Sequence, residues 1–139
     1  MLPRLSGGHL FKRSALLFFV AAAAIAAPGV HMADDSHEKA AAEKLFEGGA
    51  YQKAHDAYAA IDQQGLNAQE RRWIAFRLAD TDWRAASAGR GIDASRQQAA
   101  IAALAKILSD ATRDEDHDRT WAEVAESLGD AYWLRSDYR

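Results

Sequence analysis

The side chains best suited to chemistry stand together at Asp114, Glu115, Asp116, His117 and Asp118, where four carboxylates flank one imidazole. Oxygen and nitrogen donors at that density could bind a divalent cation. The spacing is wrong for an EF-hand loop, which needs a glycine at its turn and a glutamate at its twelfth position. The stretch therefore reads as a solvated loop between helices. Asp34, Asp35, His37 and Glu38 form a similar group, explained by the preference of acids for helix N-termini. The chain has no cysteine, so disulfides, thiolate metal sites and cysteine nucleophiles are excluded. No nucleophile elbow and no phosphate-binding glycine loop is present, and neither His55 nor His117 falls in a recognisable triad pattern. No catalytic, cofactor-binding or metal-ligating residue is assigned, and the chain is expected not to be an enzyme. A small metal-binding or hydrolytic protein built on the acidic loop stands as an alternative.

Tryptophan and arginine are the other chemistry-bearing types. Trp73 and Trp83 lie nearly three helical turns apart and share a row with Phe76 and Ala79, which favours core packing over ligand stacking. His55 is placed on the outer face of its helix. Arg72, Arg77 and Arg84 are expected on an exposed or concave surface, there to pair with carboxylates of a partner chain.

The elements that would position these groups are helices. After Ala33 the chain has no proline, few β-branched residues and no period-two alternation, which predicts an all-α fold. Gly48-Gly49, Gly65, and Gly89 with Gly91 break it into segments. The first helix is predicted from Ser36 to Phe46 or Glu47. A second runs from about Tyr51 to Gln63, with Tyr51, Ala54, Tyr58 and Ile61 in one stripe. A third opens with an Asn67 and Glu70 capping box and reaches Ala86; Ile74 and Leu78 give it a second apolar row, so it should be buried on two sides. A fourth spans Asp93 to Leu108, turning Ala100, Leu104, Ile107 and Leu108 inward. Thr120 with Glu123 is read as a second capping box, starting a fifth helix that ends near Ser136.

The first 26 residues differ in kind. Arg4, Lys12 and Arg13 precede the apolar run Ala15 to Ala27, with Ala24 and Ala26 placed for signal cleavage. We expect a signal peptide over residues 1–26, cleaved at 26/27 or alternatively 33/34, and a helical domain over 34–139. The run covers only about 20 Å as a helix against a hydrocarbon core of about 30 Å, which argues against an anchor. The product should be periplasmic or secreted, a membrane-anchored form being the alternative. Removing three of the 17 basic residues leaves 14 against 20 acids, a net of −6. Such a chain is not expected to bind nucleic acid or, once cleaved, a membrane.

Aligned on their turns, AAEKLFEGGAYQ (Ala41 to Gln52) and LGDAYWLRSDYR (Leu128 to Arg139) resemble the tetratricopeptide repeat (TPR). Ala42, Leu45, Gly49, Tyr51, Ala54 and Tyr58 occupy its small, bulky, turn and aromatic positions, and Leu128, Gly129 and Tyr132 match the core of its first helix. The usual proline at the repeat end is absent, and Glu38 and Ala125 stand where tryptophan is usual. The resemblance implies a TPR-like antiparallel array of helix hairpins, about five helices in all, with no cofactor. It would bind a protein, or downstream domains of its own parent chain, through Tyr51, Arg77, Arg84, Tyr132, Trp133 and Tyr138. ERRWIAFRLADTDWR (Glu70 to Arg84) and DEDHDRTWAEVAESLGDAYW (Asp114 to Trp133) are also similar to the helical N-terminal region of large exported bacterial alpha-2-macroglobulin-like proteins. That similarity implies a scaffold segment of a longer chain, incomplete at its C-terminus; a free-standing periplasmic or membrane-tethered TPR adaptor is the alternative. The bait region and thioester chemistry of that family have no counterpart here.

Overall fold

The computed structural model describes residues 29–88 and 91–135, which form five α-helices and one short 3₁₀ turn, with no strand among them. The expected signal peptide, its 26/27 cleavage point and Tyr138 lie outside the described residues. α1 (Gly29–Glu47) begins seven residues before the predicted Ser36. It closes on the glycine pair. Gly49, at φ 72°, lets the Ala50 N–H reach the Leu45 carbonyl at 2.9 Å and the Gly49 N–H reach the Phe46 carbonyl at 2.9 Å. This is the two-bond C-cap that favours glycine at its left-handed position.

α2 (Tyr51–Ala60) stops three residues before the predicted Gln63. Ile61 turns extended and tucks its side chain into the core, and Asp62 accepts from the Gln64 N–H in an Asx turn, leaving Gly65 at φ 90°. α3 (Ala68–Ser87) carries the predicted box: the Asn67 side chain accepts from the Glu70 N–H at 2.9 Å while Glu70 accepts from the Asn67 N–H at 3.0 Å. α4 (Ala94–Asp110) is capped by Asp93. α5 (Arg119–Leu134) starts one residue before the predicted cap. Its cap is Asp118, which accepts from the Trp121 N–H at 3.0 Å; Thr120 is buried inside the first turn and caps nothing. Aspartate is the stronger N-cap, and it displaces the Thr120–Glu123 pairing.

Each helix packs on the next in chain order, and α3 also packs on α5. Two apolar clusters result. One gathers Ala42, Ala54, Tyr58, Ile61, Leu66 and Ile74 from α1 to α3; the other joins Phe76, Trp83, Ile101, Leu104, Val124 and Ala131 from α3 to α5. Trp73 touches both, so α3 is the central member, buried on two sides as its two apolar rows require. Among the described residues no helix is long and apolar enough to cross a membrane.

Candidate functional site

The odd-numbered helices share a groove. Three adjoining clefts, of about 410, 300 and 200 Å³, are lined by α1, α3 and α5, with no residue from α2 or α4. Glu43, Trp73 and Thr120 are common to the first two, and Arg77 and Glu123 to the last two, so they run on as one trough. Its floor holds the partly exposed rings of Trp73 from α3 and Phe46 from α1, over the buried Phe76 of α3.

Two of the predicted residues, Arg77 and Arg84, lie in this groove, two helical turns apart on one face of α3. Their chemistry differs from expectation because both are already occupied. The Arg77 guanidinium lies 4.7 Å from the Phe46 ring, 5.4 Å from Trp73 and 5.1 Å from Phe76, and its Nη2 donates to Glu43 Oε2 at 2.9 Å. Arg84 lies over Trp83 at 4.6 Å and donates from Nε to Asp80 Oδ1 at 2.8 Å. Arg77 thus ties α1 to α3, and Arg84, 5.7 Å from the Phe46 ring, adds a weaker contact across the same pair. Tyr51 stands beside this pair, 5.7 Å from the Phe46 ring and 5.9 Å from the Arg84 guanidinium, but it lines a separate cleft with Gly49, Lys53 and Ala88.

Asp80 is the electrostatic centre of the groove floor and was not legible as such. It is 1% exposed and accepts at Oδ1 from the Trp83 indole N–H at 3.0 Å, from the Ser127 hydroxyl at 2.5 Å and from Arg84. The Trp83 N–H also reaches Ser127 Oγ at 2.9 Å. A carboxylate removed from water needs this many donors, and here they come from both α3 and α5. The apolar row of α3 pointed to Trp83; nothing local points to Ser127, 44 residues further on.

Arg72 likewise faces inward, to the acidic stretch. Its Nη1 reaches Asp116 Oδ1 at 3.2 Å and its Nη2 reaches Asp118 Oδ2 at 2.6 Å. The expected solvated loop is therefore partly latched onto α3. The Arg113 guanidinium hydrogen-bonded to Asp116 holds that carboxyl below the usual range, with Arg72 adding to the effect. At Asp118 partial burial pushes the other way, but the Trp121 N–H and Arg72 outweigh it and lower the carboxyl. His117 stacks on Trp121 at 4.7 Å. Among the described residues no group of three histidine or acidic side chains converges as a metal would require.

His55 is not on an outer face: its ring is half-buried, with Nε2 3.9 Å from Asp82 on α3. Tyr58 is fully buried and donates its hydroxyl to Glu43; burial first, and then that acceptor, push the phenol above its ordinary range. Tyr132 and Trp133, 38% and 67% exposed, lie at the far end of α5 with exposed Leu134 and do not line the groove.

The described residues thus form an all-α fold of five helices with a groove between alternate helices. No protein-family model, no curated protein and no solved structure matches it.

Proposed function

We propose that the chain is an exported protein-interaction module of TPR type, and that it forms the helical N-terminal scaffold of a larger alpha-2-macroglobulin-like protein. The observation that carries the interaction reading is the groove: α1, α3 and α5 turn toward it, while α2 and α4 take no part in its lining. That alternation is what a stack of helix hairpins produces, with the first helix of each hairpin on the inner side. An aromatic floor rimmed by charged residues suits a peptide segment, since apolar contact supplies strength and the rim supplies register. The macroglobulin part of the proposal rests on the resemblance of Glu70 to Arg84 and Asp114 to Trp133, and export rests on the pattern of residues 1–26. The exposed trio Tyr132, Trp133 and Leu134 supports a second contact surface, whether with another domain of the parent chain or with a partner of a free-standing adaptor.

Peptide display against the full chain tests the reading. Selected peptides are expected to bind the parent and an Ala103→Trp control alike, because Ala103 is exposed on α4. They should lose about ten-fold or more in affinity to Glu123→Trp, which fills the groove. Equal binding to Glu123→Trp and to the parent would sink the proposal.

A further inference from the structure

The charge of the groove is set by what its arginines have left to offer. Arg77 is neutralised by Glu43 and also lies 3.8 Å from Asp80; Arg84 is held by buried Asp80; Arg119 donates to Glu123 at 2.7 Å. Along the two clefts that share Arg77 and Glu123, three guanidinium groups face five carboxylates, a net of −2. The excess sits on α5. Glu126 has no ion-pair or hydrogen-bond partner among the described residues, and the Asp130 carboxylate, 56% exposed, is 3.7 Å from an Arg84 already committed to Asp80.

This inverts the polarity expected from the sequence, in which the arginines were to meet a partner's carboxylates. We infer that the groove takes a basic segment of a partner protein, its arginine or lysine side chains meeting Glu126 and Asp130 while its apolar side chains lie on the partly exposed rings of Trp73 and Phe46. The proposal rests on the interaction reading above and adds the partner's chemistry to it. The geometry fits an extended segment: Glu126 to Asp130 covers about 6 Å along α5, and alternate side chains of an extended peptide recur every 6–7 Å or so. Two cations at alternate positions then meet the two acids, and the apolar residue between them turns to the opposite face of the strand, away from the acidic edge. An acidic segment, by contrast, would have to displace Glu43 from Arg77 or Asp80 from Arg84.

The test uses the full chain and fluorescein-labelled dodecapeptides alternating leucine with arginine, serine or glutamate, read by fluorescence anisotropy. The arginine peptide is expected to bind about ten-fold tighter than the serine peptide, and to weaken when salt is raised across the Debye screening range. Glu126→Gln with Asp130→Asn should cost about ten-fold of that affinity with the melting temperature unchanged, since neither residue is buried. Asp62→Asn with Asp110→Asn, two exposed acids outside the groove, should cost nothing. Equal loss in the two variants would show a merely diffuse attraction and overturn the proposal. Preference for the glutamate peptide would overturn it too. Serine-peptide binding as tight as arginine-peptide binding, and abolished by Glu123→Trp, would overturn the charge inference while leaving the interaction reading intact. No binding by any peptide counts against both.

Discussion

Asp80→Ala is the perturbation that reaches furthest into this structure. The carboxylate is 1% exposed and receives three donors, from Trp83, Ser127 and Arg84. Truncation leaves the Ser127 hydroxyl without that acceptor and the Arg84 guanidinium beside a void, although Trp83 keeps its contact with Ser127 Oγ. Removing one partner of a buried charged network costs about 3–5 kcal/mol, and each orphaned buried donor about 1–3 kcal/mol. These overlap, so the expected loss is about 4 kcal/mol. Asp80→Asn keeps the shape and an acceptor oxygen but not the charge, and should lose about half as much. The assay is urea unfolding of the full chain followed by far-ultraviolet circular dichroism. In a double-mutant cycle with Ser127→Ala the two sites should couple by about 1–3 kcal/mol, because they share one hydrogen bond across α3 and α5. A loss below about 1 kcal/mol for Asp80→Ala would refute the reasoning, since it would mean that water or a rearranged side chain replaces the carboxylate freely.

Three further outcomes follow from the local chemistry. Asn67→Ala removes the capping box of α3 and should cost about 1 kcal/mol by urea unfolding, while Asn67→Asp should retain the parent value. Glu70, lowered by the Asn67 N–H and then by Lys39, joins Asp116 and Asp118 as carboxyls held below their usual range. A depressed folded-state value means that the stabilisation is present above the unfolded value, near pH 4, and is lost as pH falls through the folded values. Arg72→Gln removes a cause common to Asp116 and Asp118, so melting temperatures measured down the acid limb should fall less steeply for the variant. The raised Tyr58 phenol has the opposite sense: its contribution is complete below about pH 10 and fades above it as the unfolded tyrosine ionises. Tyr58→Phe should therefore flatten the alkaline limb of the same melting experiment.

Helix content and helix breaks were legible because they depend on local chemistry. Gly49 and Gly65 adopt positive φ, and the Asn67–Glu70 box forms as read. Of the stripe Tyr51, Ala54, Tyr58 and Ile61 the last three are buried, and of the row Trp73, Phe76, Ala79 and Trp83 the last three, while Tyr51 and Trp73 are only partly buried. At the start of α5 two caps competed, and Asp118 took it from Thr120. Side-chain pairing was not legible, because it depends on which helices face one another. Arg77 finds Glu43, 34 residues away, and Arg72 finds Asp118, 46 residues away, distances that no periodicity encodes. Reading arginine as a free cation therefore missed that Arg77 and Arg84 already have carboxylate partners within the chain. Tyr51 and Tyr132 were chosen by their places in the TPR pattern, and the structure sets Tyr51 beside the groove and Tyr132 away from it.

The measurement that bears most directly on the account is an amide chemical-shift map of the full, isotope-labelled chain titrated with the arginine–leucine peptide. Shifts are expected to saturate together at Phe46, Trp73, Arg77, Glu123 and Glu126, along the facing sides of α1, α3 and α5. Shifts confined to Tyr132, Trp133 and Leu134, or spread evenly over the exposed acids, would contradict it.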